Sequence, residues 1–265
     1  MSRGATVHAE GITKTYGVGR ATVEALKHLD LEVERGRFIA LVGPSGCGKS
    51  TLLRLLASIE PPTAGEIRID GEQPSVLARQ HQIGMAFQDH ALMPWLSVSK
   101  NVALPYRLAA QKPDWDHVHN LVELVGLTEF ADSRPGQLSG GMRQRVSIAR
   151  SLVLGPRLLL LDEPFGALDL VTRRKLNIEM QRIWTELQTS TVLVTHSVEE
   201  AVLLGDSVHV MGARPGRIVE AFEVAASRPR DHEYASSREY DDLCRQIGAS
   251  LDIAAGIGDT MPHNV

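Results

Sequence analysis

The chain has 265 residues and lacks several features that would assign it quickly. Cysteine is nearly absent. The two present are Cys47 and Cys244, and Cys47 sits inside a glycine-rich loop. That excludes a disulfide-stapled fold and predicts a reducing compartment. No run of about 18 apolar residues occurs, so no membrane-spanning helix is predicted. The opening Met1-Ser2-Arg3-Gly4-Ala5-Thr6 shows no apolar signal core. A basic excess is also missing. Lys and Arg total 28 against 32 Asp and Glu, a formal charge of −4. The pI is about 6.2, which argues against a dedicated nucleic-acid binder. Hydrophobic residues make up 43% and charged residues 23%, the balance of a globular protein with one large domain or a domain bearing an insertion.

What is present is a phosphate-binding loop. Residues 43–51 read Gly43-Pro44-Ser45-Gly46-Cys47-Gly48-Lys49-Ser50-Thr51, which is G-x-x-x-x-G-K-S. The apolar run Phe38-Ile39-Ala40-Leu41-Val42 predicts a buried strand before it, and residues 49–57 predict a helix after it. Gly43, Gly46 and Gly48 let successive N–H groups face one concavity, and the helix start adds its positive end. Lys49 is expected to reach the β- and γ-phosphates of ATP, and Ser50 to hold Mg²⁺. A plain glycine turn entering a helix would require neither Lys49 nor Ser50. Cys47 reads as a small loop filler.

Other stretches surround this loop. Residues 5–42 look strand-rich, with Lys14-Thr15-Tyr16-Gly17 expected in a loop between strands. Tyr16 is either a core aromatic or a flat face for a purine ring. Residues 65–71 and 83–87 read as strands, the second ending at Gln88. The following loop carries Leu92, Met93, Pro94, Trp95 and Leu96, which fit either a partner surface or a satellite core. Residues 113–127 have helical spacing, and His117 and His119 fall on different faces, as surface residues rather than metal ligands. In Leu138-Ser139-Gly140-Gly141-Met142, Ser139 is a good N-cap, and the open glycine backbone makes a second anion-binding helix end. The arginines after it, Arg143, Arg145 and Arg150, read as a solvated face rather than a ligand site, although Arg143 lies near the anion-binding end.

The run Leu158-Leu159-Leu160-Leu161 fits a strand buried on both faces of a parallel sheet. It ends in Asp162, expected at Mg²⁺, and Glu163, expected to polarise the attacking water. Leu176, Met180, Ile183, Trp184 and Leu187 form the apolar stripe of a long helix. His196 ends a further strand, at the sheet edge shared by Gln88 and Asp162-Glu163. Two more strands lie within 207–220, and Tyr240, Leu243, Ile247 and Leu251 outline one amphipathic helix in a polar tail. Residues 255–265 read as frayed.

Over about residues 5–224 the chain resembles the ATP-binding subunits of ABC transporters. The loop at 43–51 matches Walker A, Gln88 the Q-loop, 138–142 the LSGGQ signature, and 158–163 Walker B. Asp169 matches the D-loop, His196 the H-loop and Tyr16 the adenine-stacking aromatic. Met142 departs from the usual Gln. The resemblance implies an α/β P-loop NTPase core with an antiparallel β subdomain and a helical subdomain inserted at about 89–155. Together these would form a domain over 1–224, followed by a short helical tail at 225–265. It implies catalytic roles for Glu163, His196, Gln88, Lys49 and Asp169, with Mg²⁺ held by Ser50, Gln88 and Asp162. Two copies would enclose two ATP molecules, each between one chain's Walker A and the other's Ser139-Gly140-Gly141.

A narrower likeness is to bacterial nitrate, sulfonate and taurine importers, through Pro94-Trp95 and Ala213-Arg214-Pro215-Gly216-Arg217-Ile218. It implies a separate transmembrane permease, an external solute-binding protein and a location on the cytoplasmic face of the membrane. The tail is too short for the regulatory barrel of sugar importers. Other readings are an ATPase of a phosphate, lipid, metal or thiamine-precursor transporter, a soluble ABC ATPase, and a small-molecule kinase. The soluble class usually shows coiled coils, zinc cysteines or a second cassette, none of which is visible in the sequence. The signature and His196 oppose the kinase reading.

Overall fold

Strand patterning divides the chain into two sheets. The computed structural model describes residues 4–18, 21–166 and 170–256. In chain order the strands are β1 (Val7–Val18), β2 (Ala21–Val33), β3 (Phe38–Val42), β4 (Ala64–Ile69) and β5 (Ile83–Ala86). They continue with β6 (Leu158–Asp162), β7 (Ser190–Val194), β8 (Ser207–Gly212) and β9 (Arg217–Glu223). The helices are α1 (Lys49–Leu56), α2 (Pro74–Arg79), α3 (Val98–Val102), α4 (Leu104–Leu108), α5 (Trp115–Leu124) and α6 (Gly140–Leu152). Next come α7 (Leu170–Leu187), α8 (Val198–Leu204) and α9 (Arg238–Ala254).

The central sheet runs β5-β6-β7-β3-β8-β9, parallel except for the antiparallel edge strand β9. β3, β6 and β7 are buried at every position, as their apolar sequences require of strands covered on both faces. Alternation then sorts their side chains. Phe38, Ala40, Val42, Leu159 and Leu161 enter a core with α6, α7 and α8. Ile39, Leu41, Leu158 and Leu160 enter a second core with α1 and the smaller sheet, β2-β1-β4.

That antiparallel sheet corrects one expectation. Residues 14–17 belong to β1 and not to a loop, with Tyr16 paired opposite Val23. The register between β1 and β2 shifts between Ala9 and Ile12, again before Lys14, and again before Thr15. Bulges break the two-residue period, so a pattern search sees no strand there.

Helices α3 to α6 form a helical arm, whose Val98, Val102, Val118, Leu121, Val122 and Val146 belong to the same core as Phe38 and Leu161 of the sheet. Beyond residue 224 the chain folds back on the α/β core. Tyr240 and Ile247 of α9 are buried in it, and the guanidinium of fully buried Arg230 donates to the carbonyls of Val202, Gly205, Val224 and Ala226.

Candidate functional site

The phosphate loop leaves β3 at Gly43 and enters α1 at Lys49. Gly48 has φ +95° and forms the N-terminal boundary of α1, which no side chain caps. A Cβ there would lie 2.5 Å from Leu26 Cδ2, so both conformation and space require glycine. The first-turn N–H groups of α1 have no acceptors within the helix and face the loop. Lys49 is 7% exposed. Its ammonium donates to the Gly43 carbonyl at 2.7 Å and the Pro44 carbonyl at 3.1 Å. Cys47 is fully buried, with its sulfur 3.7 Å from Lys49 Nζ.

The parallel strands deliver their polar residues to this loop at their carboxyl ends. Ser50 Oγ donates to Asp162 Oδ1 at 3.0 Å. Burial pushes the Asp162 carboxyl up, opposed by the Ser50 hydrogen bond and reinforced by the charge of Glu163. Glu163 adopts φ +46°, a conformation that non-glycine residues rarely hold. Its N–H is fixed by the Val194 carbonyl at 2.9 Å. Gln88 Nε2 donates to Glu163 Oε2 at 3.3 Å, and His196 Nδ1 lies 3.6 Å from the same oxygen. Three neighbouring strand ends thus converge on one carboxylate. Gln88 and Glu163 line a cleft of about 340 Å³ with Ser45, Lys49, Ser50 and Thr51.

Tyr16 stands beside this cleft, with Thr51 against its hydroxyl. The hydroxyl donates to Glu60 at 2.8 Å, and Lys14 Nζ lies 5.0 Å from the ring centre. The ring is half-buried, with its edge anchored and Lys14 against it. Ser139, Gly140 and Gly141 lie elsewhere, at the start of α6 on the helical arm, where Ser139 Oγ accepts from Met142 N–H at 3.3 Å. They do not line the cleft of their own chain. Asp169 lies outside the described residues.

The arginines of α6 are not a solvated face. Arg143 donates to the Leu138 carbonyl, Arg145 to that of Val125, and Arg150 to those of His90 and Ala91. Burial pushes Arg145 and Arg150 down, which agrees with their enclosed positions. Arg150 therefore ties the segment after Gln88 to the helix that carries Ser139 at its start. Further along, fully buried Asn101 braces the same segment from α3. Its side-chain amide accepts from Met93 N–H and donates to the carbonyls of Met93, Leu96 and Ser97. Trp95 sits on this braced loop, 66% exposed. Sequence reasoning missed Asn101, and it also missed Glu200, whose carboxylate is buried against Thr195. The acidic pair in the first turn of α8, directly after His196, was the available signal.

The ABC transporter family model matches residues 26–166. The chain is 44% identical over 223 residues to the nitrate import ATP-binding protein NrtD of Synechocystis, spanning 83% of this chain and 82% of that one. It is 41% identical over 234 residues to an aliphatic sulfonates import ATP-binding protein of Bacillus cereus, spanning 88% and 92%. A solved ATP-binding cassette, in a dimeric post-hydrolysis state bound to ADP and Pi, superposes with a TM-score of 0.76 at 31% identity. That match covers 83% of this chain and all of the cassette.

Proposed function

Because the chain belongs to the ABC transporter family, as an ATP-binding subunit whose ATPase activity is coupled to transport, we propose that it energises import of a small oxyanion. Nitrate and alkyl sulfonates of the taurine type are the favoured solutes, from the identity to nitrate and sulfonate import subunits. The solute passes through a separate permease, supplied by an external binding protein. The chain itself is peripheral to the cytoplasmic face of the membrane. Among the described residues no helix is long and apolar enough to cross it.

One observation carries the catalytic reading: Gln88, Glu163 and His196 meet at the mouth of the phosphate loop. The loop N–H groups and Lys49 hold the β- and γ-phosphates of ATP, and Lys49 exchanges its loop carbonyls for phosphate oxygens. Tyr16 offers its ring to the adenine. Glu163 accepts the proton of the attacking water, and its fixed backbone aims the carboxylate. His196 and Gln88 flank that carboxylate and contact the γ-phosphate side.

Ser50 and Asp162 fit a hard cation. Their oxygens are 3.0 Å apart, and the buried carboxylate is one whose ionised form a cation would stabilise. With Gln88 they would hold Mg²⁺, which when bound neutralises charge on the phosphates.

The second anion-binding helix end, at Ser139, is remote from the chain's own cleft and serves the ATP of a second copy in a two-fold dimer. Asp169 keeps the catalytic role that the family resemblance gives it. Trp95 and its braced loop form the surface that receives a cytoplasmic helix of the permease.

Glu163→Gln tests the hydrolysis assignment. The variant should bind ATP, release phosphate at least a hundredfold more slowly than wild type, and accumulate as an ATP-bound dimer. Near wild-type phosphate release would overturn the assignment. The solute is tested by reconstituting the chain with its permease and binding protein, where nitrate or a sulfonate should stimulate ATP turnover. Stimulation by phosphate or a metal ion alone would replace the oxyanion reading.

A further inference from the structure

His196 sits in a short segment between β7 and α8 whose backbone is set by its neighbours. Thr195, 2% exposed, donates its N–H to the Leu41 carbonyl at 3.1 Å, just before the phosphate loop. Its hydroxyl oxygen accepts from Ser197 N–H at 3.1 Å, bridging across His196. The same hydroxyl donates to Oε2 of Glu200. Glu200 N–H in turn donates to Ser197 Oγ at 3.1 Å. The four residues 195, 196, 197 and 200 thus form one hydrogen-bonded ring, from which the His196 side chain reaches to 3.6 Å from Glu163 Oε2.

Glu200 is 3% exposed, an unusual place for a carboxylate. Its other oxygen, Oε1, has no hydrogen-bond partner among the described residues. The residue also borders a cavity of about 550 Å³ between α7, α8 and the C-terminal segment, lined by Arg173, Asn177, Arg230 and Tyr240 among others. Among the described residues, the bond to Thr195 is therefore the one side-chain hydrogen bond that fixes this carboxylate. A buried carboxylate with so little compensation is unfavourable for folding. Its hydrogen-bond partner belongs to the segment that carries His196.

We propose that Glu200 is a positioning residue for His196, acting through the Thr195 hydroxyl. The inference rests on the reading of His196 as the group that senses the γ-phosphate. Glu200 touches neither ATP nor the attacking water. It fixes the hydroxyl that bridges Ser197, and thereby the direction in which the imidazole leaves the backbone. A misplacement of about 1 Å at such a site costs on the order of a hundredfold in rate, so partial loosening should cost about tenfold.

The test is ATP turnover by the full-length chain, with ATP affinity and melting temperature measured alongside. Thr195→Val and Glu200→Ala should each lower kcat about tenfold and leave KM within about twofold. Thr195→Ser, which keeps the hydroxyl, and Glu200→Gln, which keeps an acceptor oxygen, should retain near wild-type kcat. The double variant Thr195→Val with Glu200→Ala should be no slower than the slower single variant. In a His196→Ala background, Thr195→Val should add nothing. Multiplying losses, or a further loss in the His196→Ala background, would overturn the proposal. So would wild-type kcat in Thr195→Val when His196→Ala is slow. If His196→Ala itself turns over at the wild-type rate, the reading of His196 fails, and the positioning role fails with it.

Discussion

Replacing Glu200 by Gln should change how the fold responds to pH. Burial pushes the Glu200 carboxyl from the ordinary 4.5 up to about 7. The groups facing it divide. The Thr195 hydroxyl and Arg173 of α7 favour the ionised form, whereas Glu163 after β6 and Glu199 on its own helix oppose it. From α9 comes the neutral phenol of Tyr240, which donates to the Glu199 carbonyl. Because the folded value lies above the unfolded one, the folded chain holds the proton more tightly. The resulting stabilisation is fully present below pH 4.5 and is lost as pH rises through about 7. At about 1.4 kcal/mol per pH unit, the loss totals about 3 kcal/mol, of which about 2 kcal/mol falls between pH 5.5 and 7. Glu200→Gln has no proton to lose. Its denaturant-unfolding free energy should gain on wild type by about 2 kcal/mol between pH 5.5 and 8, then run parallel above that. Wild-type and variant curves that stay parallel from pH 5.5 to 8 would refute the reasoning, since they require a carboxylate that ionises at its ordinary value.

Two further variants separate parts of the proposed assembly. Ser139→Arg should bind nucleotide with wild-type affinity yet fail to form the ATP-bound dimer when combined with Glu163→Gln. Light scattering reads the dimer, and its persistence would count against the composite site. Trp95→Ala should leave the melting temperature nearly unchanged, because the ring is two-thirds exposed, and should weaken assembly with the permease by about 2 kcal/mol. A large fall in melting temperature with assembly intact would make Trp95 part of the fold instead.

The sequence showed some elements and hid others for reasons that are physical. The four-leucine run at 158–161 reads correctly as a buried parallel strand because burial on both faces removes polar positions. Residues at strand ends and helix starts were legible for a similar reason. Gly48, Ser50, Glu163 and His196 owe their placement to local geometry that glycines and apolar runs announce. β1 was only half visible, because its bulges interrupt the alternation. The arginines that bond to backbone were invisible. Arg145, Arg150 and Arg230 all bond to backbone carbonyls far along the chain. A carbonyl carries no residue identity, so nothing in the sequence marks the partner, and a charged residue on a helix defaults to solvent. Asn101 escaped for the same reason, since its partners are backbone groups of residues 93, 96 and 97.

Those hidden bonds decide what kind of element the segment 88–98 is. Left as an unbraced loop carrying Trp95, it would absorb any movement of Gln88 in its own flexibility, and a permease docked on it would feel little. The structure instead clamps it at two points. Arg150 of α6 holds His90 and Ala91, and Asn101 of α3 holds 93 through 97. Ser99 of α3 is fixed in turn to the Ala131 carbonyl by both its N–H and its hydroxyl. Gln88, Trp95 and the Ser139 end of α6 are therefore joined through one hydrogen-bonded body, the helical arm. Coupling between distant sites needs a physical element that both of them bias. In the proposed dimer, a partner's ATP pulls on Ser139 while the chain's own γ-phosphate pulls on Gln88. Both forces would act on the same arm, so Trp95 would move with it and carry their combined effect to the proposed docking surface.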